Sequence, residues 1–529
     1  VPVWRGELYF EMHRGTLTSQ LKTKLGNRRC ERLLVEAELG AATLGRSADV
    51  DDLWKRTLTQ QVHDILPGSS IAWVHQDAER MLGEVEAELE GRIAGFLAEL
   101  AGATTSVANR GDVAVDEVVA LDLGDAELDG PEQRLADGTT ALRLSVPAMG
   151  VAPVEALALD DRVVLSDTSM TNGHLAVRWD AHGNVTSIID LASAREIVPD
   201  GKFAAALELA VDHPVEYDAW DVESWTVDSG TALTGGHGVS VHVVDAGPFV
   251  GRVRVERAFG PSTAVTTYEL RAGCRQLDVH VELDWHHDEH LLSMAFPLDV
   301  RADVAMCDVQ FGVVSRPTHP SSPWDAAKFE VCAHRFVDLA EPDFGVAILN
   351  NGRFGHGVFG GRVRVSLARA AQYPDPLADR GRHSVSLAVR PHGAGLADVR
   401  DAASRFNHPL RVVGRSDTAT TATTATTATP SRRVVEVSSD PAGVEVDAVK
   451  LADDGSGDLI VRLHEAVGNR TRVSVVASDR IATAWRCNLL EEPEAGEEVG
   501  DGVVALTLRP FQIVTLRLHR TPDDDGRTR

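Results

Sequence analysis

The stretch Gln60-Gln-Val-His-Asp-Ile-Leu-Pro-Gly68 sets His63 and Asp64 side by side, just ahead of a Pro67-Gly68 pair that cannot continue a helix. The residues on both sides of it carry helical periodicity, so the stretch separates two helices. Upstream, Leu21, Leu25, Leu33, Ala37, Ala41 and Leu44 recur at helical spacing between Thr18 and about Leu44. Lys22, Lys24, Arg28, Arg29, Glu36 and Glu38 lie between them. Asp49-Val50-Asp51 is placed to cap a second, shorter helix with Leu53, Trp54 and Leu58 on one face, running out near Val62-His63. After Gly68, Ser69 or Ser70 is a candidate N-cap for a third helix. Its stripe is Val74, Ala78, Met81, Val85, Leu89, Ile93, Phe96 and Leu100. Three helices with short connections predict a bundle.

The period changes after Gly102. From Asp112 the chain shows short alternating runs between Gly, Pro, Asn and Asp. His174–Asp180, the turn Ala-His-Gly-Asn, and Val185–Asp190 together read as a β-hairpin. Further strand candidates are Gly251–Phe259, Leu277–Trp285, Gly345–Leu349, Arg362–Leu367 and His383–Val389. The expected organisation is a helical part over 1–110, a small β-domain over 111–170 and a large β-sandwich over 171–413. A Thr/Ala-rich tract over 414–431 has no core-forming residue and reads as a linker or surface insertion. Arg433–Val437, Leu459–Leu463, Arg472–Val476, Val503–Leu508 and Ile513–Leu518 predict a terminal β-domain over 432–520, with a frayed charged tail over 521–529.

A length of 529 residues exceeds what one hydrophobic core sustains, which agrees with several domains. The chain is 43% hydrophobic and 25% charged, and no run of about 20 apolar residues reads as a membrane span. A formal charge of -27 repels phosphate backbones, so a nucleic-acid partner is not expected and a neutral substrate or a metal cation fits better. Five scattered cysteines without C-x-x-C spacing point to a reducing cytoplasm. Val1-Pro-Val-Trp-Arg-Gly-Glu7 has no starting Met and no leader pattern, as expected of a chain that begins in mid-protein.

A His-Asp dipeptide at a helix end is by itself ordinary turn chemistry. Other stretches add to it. Trp4–Gln20 mixes Glu7, Glu11, His13 and Arg14 with aromatics, the kind of surface that holds sugar rings. Trp285-His-His-Asp-Glu-His290 gathers His286, His287 and His290 but lacks H-E-x-x-H order. It follows a strand, where neighbours alternate faces, so a solvated strand end is expected. Arg316-Pro-Thr-His319, Trp324-Asp325, Ala333-His-Arg335 and Tyr217-Asp-Ala-Trp-Asp221 sit in loop-like sequence, where function and structure are both open readings.

Taken together and in order, Gly6–Gln20, Val62–Ser70, Tyr217–Asp221, Arg316–His319, Trp324–Val331, Ala333–Arg335, Tyr373–Pro376 and Leu508–Phe511 resemble glycoside hydrolase family 38. These are the retaining α-mannosidases, of the bacterial and vacuolar or cytosolic type. The resemblance covers nearly all of the chain, with the Thr/Ala tract as a departure. It implies a three-helix bundle followed by β-sandwich domains of the galactose-mutarotase-like supersandwich kind and a smaller C-terminal β-domain.

The resemblance also implies a site. One divalent metal, zinc with cobalt as the alternative, is held by a His-x-Asp pair, by a second Asp that is also the nucleophile, and by a bundle histidine. That histidine is matched by His63. Asp64 is then expected to hydrogen-bond sugar hydroxyls, and His13 to lie against the bound mannose. Trp324, Asp325, His334 and Arg335 are the β-domain side chains expected near the sugar. The other metal ligands belong to an N-terminal α/β domain expected before Val1, and no copy of it is found within the chain. No catalytic residue is therefore assigned here, and the chain alone is expected to be inactive. The implied reaction is retaining double-displacement hydrolysis of terminal α-D-mannosyl residues from a mannose-containing oligosaccharide. Family resemblance is compatible with a homo-oligomer in the cytoplasm. A non-catalytic carbohydrate-binding or scaffold protein built from the same β-domains is the rival reading. A metallopeptidase using His286, His287 and His290 is a third.

Overall fold

A computed structural model describes residues 3, 7–102, 104–124, 130–236, 238–414 and 432–521. Among these residues the helical part comprises α1 (Leu21–Thr43), α2 (Asp51–Thr59) and α3 (Ala72–Ala101). Cys30, Leu33, Leu34, Ala37 and Ala41 of α1 pack against Leu82, Val85, Leu89, Ile93 and Leu97 of α3, with Leu53 of α2 closing the cluster. Two details differ from the sequence reading. Neither Ser69 nor Ser70 caps α3: the helix begins later, at Ala72, so Ile71 holds the N-cap position without a side-chain bond, and Ser69 is buried. Asp49 does not cap α2 either, and Leu58 is 52% exposed rather than in the core. Asp51 and Asp52 instead place their charges in the first turn of α2, where the helix dipole favours them.

Everything after Gly102 is mainly antiparallel sheet. A nine-stranded sheet takes, in spatial order, Val239–Ala246, Val250–Phe259, Ser262–Arg271, Leu277–Trp285, Gly381–His392, Gly345–Asn350, Phe336–Ala340, Val304–Val309 and Gly312–Pro317. A six-stranded sheet carries Ala206–Val211, His290–Pro297, Arg362–Arg369 and Gly355–Phe359 as its long members. Alternation does the sorting. In Val250–Phe259, Val253 and Val255 point into the core while Arg252 and Arg254 point away. One hydrophobic cluster joins Val253, Val281 and Leu387 of the first sheet to Leu292, Phe296 and Val365 of the second. The hairpin Leu175–Trp179 with Val185–Asp190 forms as its sequence predicts and contributes Val177 and Ile188 to the same cluster.

The terminal β-part is a second sandwich. A four-stranded sheet (Val435–Asp440, Thr471–Ala477, Val503–Leu508, Val499–Gly500) faces a five-stranded one. The latter contains Val444–Leu451, Leu459–Glu465, Ile513–Thr521, Arg480–Cys487 and Pro493–Glu497. Of the Thr/Ala tract only Gly414 is described, and 415–431 lie outside the described residues, as do 522–529 of the tail. The flanks of the tract, Arg411–Val413 and Arg432–Arg433, belong to one four-stranded sheet built on Ser106–Asn109 and Gly150–Pro153.

Helix α1 ties these units together. Leu21 sits in the core of the large sandwich, Cys30 to Ala41 in the bundle, and Leu39 with Ala42 in the terminal sandwich. Its 23 residues span roughly 34 Å at 1.5 Å per residue, enough to reach all three. No helix among the described residues is long and apolar enough to cross a membrane.

Candidate functional site

The turn between α2 and α3 is fixed from behind. Lys24 of α1 is 4% exposed and donates to the carbonyls of Leu66 (2.8 Å), Pro67 (3.0 Å) and Ser19. Gly68 packs so closely on the same Ser19 that a Cβ there would stand 2.4 Å from its carbonyl oxygen. Gly68→Ala therefore meets both a backbone clash and a positive φ, and is expected to cost about 1–3 kcal/mol in a urea unfolding series. A loss below a few tenths would mean the turn is free to move.

Held this way, the turn presents its side chains outward. The His63 side chain is 87% exposed and that of Asp64 58%, with Nε2 of the imidazole 3.2 Å from the carboxylate.

The segment before α1 is knitted to three loops of the large sandwich. Arg14, 8% exposed, reaches the Tyr9 hydroxyl (3.2 Å), the Ala327 carbonyl (3.0 Å) and Asp221 (3.2 Å), and its guanidinium stacks 4.4 Å over Phe329. Tyr9 donates to the Glu330 carbonyl at 2.6 Å. Gly15 N–H donates to the Trp220 carbonyl at 2.8 Å, and its missing side chain leaves room for Arg369, since a Cβ would lie 2.0 Å from that guanidinium. Arg369 holds Asp212 (2.6 Å), the Ser19 hydroxyl (3.2 Å) and the carbonyls of Ala219 and Asp221.

Asp379 accepts from the N–H groups of Gln20 (2.8 Å) and Leu21 (2.6 Å), so α1 is capped by a carboxylate from a distant loop. Gln20 amide donates to Asp375 at 2.7 Å, while Asp218 accepts from Gln372 and Tyr373. Arg316 grips Glu7 through both oxygens (2.9 and 2.6 Å), which holds the Glu7 carboxyl below its usual range.

One hydrogen-bonded frame thus carries the His63 turn, the segment 7–20 and the loops around 217–221, 322–330 and 372–379. It displays large apolar side chains to the outside. Leu8 is 73% exposed, Phe10 71%, Trp324 67% and Tyr373 67%, with Met12, Tyr217 and Trp73 also more than half exposed. Such a concentration is unusual for surface that faces only water.

Of the residues singled out from sequence, His63, Asp64, His13, Trp324 and Asp325 belong to this frame. His13 is exposed with its ring 5.4 Å from that of Phe10. Asp325 is partly committed, accepting from the Ser322 hydroxyl at 2.7 Å at the start of a single helical turn. His334 and Arg335 lie elsewhere. Arg335 is spent on Asp308 (3.0 Å) and Glu445 (2.7 Å), a pair of bridges joining the large sandwich to the terminal one. His334 lines a cavity between α1 and the sheets, and burial pushes its imidazole down to about 4.

In the His286–His290 cluster the strand ends at Trp285 and His286 is exposed, as read from sequence, but His287 is not solvated. His287 is buried at 8% exposure, stacked on Trp285 and Phe259, with Nδ1 2.7 Å from the Ser262 hydroxyl. The strand stops at Trp285 and the chain folds His287 under Gly260, where a Cβ would be 2.8 Å from the ring. Among the described residues no three His, Cys, Asp or Glu side chains gather to hold a metal, there or at His63.

Of the residues that build the frame, Arg14 was singled out from sequence as part of a sugar-holding surface and is instead committed to structure, while Lys24, Arg369 and Asp379 were missed. Lys24 alone had a local signal, standing one turn from Leu21 beside the apolar stripe of α1.

Comparison with known proteins follows the same division. The α-mannosidase middle-domain profile matches residues 11–100, which include the His63 turn. The C-terminal domain profile of family 38 glycosyl hydrolases matches 170–377, and that family's C-terminal beta sandwich profile matches 443–516. Human alpha-mannosidase 2C1 is 32% identical over 545 residues, covering 98% of this chain and 51% of the human protein. An alpha-mannosidase of Saccharomyces cerevisiae is 28% identical over 566 residues, covering 98% of this chain and 49% of the yeast protein. The chain thus spans about half the length of these relatives. The crystal structure of an alpha-mannosidase from Enterococcus faecalis V583 superposes with a TM-score of 0.78 at 16% identity, covering 96% of this chain and 68% of the other, which shows a shared fold. The chain belongs to the family 38 glycosyl hydrolases and carries the middle and C-terminal domains of an α-mannosidase.

Proposed function

We propose that this chain supplies the bundle and β-domain half of a metal-assisted, retaining α-mannosidase site acting on terminal mannosyl residues of an oligosaccharide. In this reading a further α/β domain bearing the nucleophile and the remaining metal ligands seats on the frame around His63. The observation that carries it is a contrast at one turn: the backbone is pinned by Lys24 and by Gly68 against Ser19, yet the imidazole is 87% exposed. Rigid support behind an exposed imidazole and carboxylate is what a binding group needs and what a surface residue does not. The exposed Phe10, Trp324 and Tyr373 give an adjoining domain apolar surface to cover, and give a sugar ring faces to lie against.

The donor set fits a share of a metal site. A neutral imidazole suits zinc, but one imidazole without a full donor set does not retain it, and no group of three His, Cys, Asp or Glu donors is gathered at His63 among the described residues. When bound, a divalent cation supplies the charge that fixes sugar hydroxyls and favours ring distortion toward the planar transition state. Asp64, beside the imidazole, accepts hydrogen bonds from those hydroxyls and orients the ring. The five cysteines are all unpaired, which supports a reducing, cytoplasmic setting.

In the full-length protein, His63→Ala is expected to lose bound metal and at least ~10²-fold in kcat/KM. Asp64→Asn should keep the metal and lose turnover. Unchanged metal content in His63→Ala would sink the assignment. Residues 1–529 alone are expected to leave an aryl α-mannoside intact, and hydrolysis by that chain would remove the need for a further domain.

A further inference from the structure

A cavity of about 1200 Å³ opens between α1, the large sandwich and the terminal sandwich, on the side of α1 that carries Leu25, Arg28, Arg32, Val35 and Leu39. None of His13, His63, Asp64, Trp324 or Asp325 lines it, so it is a space separate from the frame described above. Its wall is rich in ion pairs, and most of its carboxylates are already committed. Asp308 and Glu445 are bound by Arg335, Asp112 by Arg400, and Glu31 takes the Gln61 amide at 2.8 Å.

Several guanidiniums of the wall have no carboxylate at hydrogen-bond distance; Arg462 donates instead to the Thr515 hydroxyl at 3.0 Å, and Arg28, Arg32 and Arg110 are less well satisfied. Arg28 comes no closer than 4.0 Å to its nearest carboxylate, Glu31. Arg32, one turn further along the same face of α1, donates only to the Asn407 carbonyl at 3.3 Å. Arg110, at the end of the strand Ser106–Asn109, has a buried Nε with no acceptor. Their charges act on one another and on the neighbouring imidazoles. Arg32 opposes Arg110, both oppose protonation of His408, and Arg28 opposes that of His334. Burial and this repulsion pull Arg110 down to about 10. A half-buried guanidinium with no carboxylate at hydrogen-bond distance is costly unless another acceptor reaches it.

We propose that this cavity binds a phosphate-bearing small molecule, with the phosphate held by Arg28, Arg32 and Arg110 and the remainder of the molecule in the space toward the terminal sandwich. Guanidinium forks match phosphate oxygens in pairs, and a phosphate supplies the acceptors that no carboxylate of the wall brings within hydrogen-bond distance of these three side chains. His334 and His408 line the same cavity. The volume exceeds the usual span of small-molecule sites, so a phosphate ester of metabolite size leaves room to spare.

The test is a thermal melt of the full-length protein with millimolar inorganic phosphate or pyrophosphate against sodium chloride of equal ionic strength. Wild type should gain roughly 2–4 °C with either phosphate and nothing with chloride. An Arg32→Gln/Arg110→Gln variant should melt no lower than wild type without phosphate, since unpaired charge is removed, and should no longer respond. No shift in wild type overturns the proposal, as does an equal shift in the variant, which would place the phosphate elsewhere. A variant that melts well below wild type in plain chloride also overturns it, because the guanidiniums would then be structural.

Discussion

Arg369→Met is expected to lower stability by about 3–5 kcal/mol, read as a shift of the urea unfolding midpoint with an unchanged slope. Arg369 is 0% exposed, and Asp212, its partner at 2.6 Å, is 1% exposed, so the substitution leaves a carboxylate in the interior without its counter-charge. Burial already pushes the Asp212 carboxyl up, and the guanidinium is the main force working against that shift. The loss reaches further than one pair, because the same guanidinium holds the Ser19 hydroxyl and the carbonyls of Ala219 and Asp221. Those contacts bind the segment before α1 to the loop at Tyr217–Asp221. Pairing the change with Asp212→Leu removes the stranded charge and should recover part of the stability, though not the positioning of the frame. A single variant within about 1 kcal/mol of wild type would mean that water reaches Asp212.

Arg369 also marks the limit of what the sequence discloses. Periodicity located all three bundle helices, because each keeps enough apolar positions at helical spacing even where one of them, Leu58, is exposed. The hairpin at Leu175–Asp190 was legible for the same reason, with alternation on both sides of a turn containing Gly183. Where periodicity is broken the reading fails. Val444–Leu451 carries a bulge between Val446 and Ala448 that shifts its alternation, and Pro493–Glu497 is a mostly exposed edge strand with no apolar face to detect. The helix Ala397–Asn407 has a helical stripe in Val399, Ala402, Ala403 and Phe406, but it is a short segment among strands.

The candidate site shows the same limit at longer range. The His63 turn could be singled out because Pro67-Gly68 marks it, and the ordered family motifs gave it meaning. What holds it is Lys24, 42 residues away from Leu66, and what holds the neighbouring segment is Arg369, 350 residues from Ser19. Pairings at such separations leave no local pattern. Arg335 illustrates the converse, since an arginine in a loop reads as ligand-binding until Asp308 and Glu445 are seen on its guanidinium.

A second large effect is expected from acid. His75, His356 and His383 are 2%, 0% and 7% exposed, and burial pulls each imidazole from 6.5 down to about 4. Each also faces cations: Lys24 acts on His75, Arg316 and Arg364 on His356, and Arg353 and Lys22 on His383. Between pH 6.5 and 4 the unfolded chain therefore binds protons that the folded chain refuses. Stability is complete above pH 6.5 and falls as the pH drops through this window, at about 1.4 kcal/mol per pH unit for each ring. Asp379 works in the opposite sense, since burial raises its carboxyl to about 6 and the folded state takes up that proton first. His334, also pulled down to about 4, acts in the same sense and so does the depressed His408, so four or more protons against one leave a net fall of about 4 kcal/mol per pH unit or more below pH 6. Urea unfolding series between pH 7.5 and 4.5 should show a plateau and then this slope. His356→Gln, which keeps a polar side chain near Phe354 and Asn350 but cannot be charged in this range, should make the slope shallower by about one proton's worth. Equal stability at pH 7 and pH 5 would mean that the three rings ionise in place, and that water or a counter-charge reaches them in the folded protein.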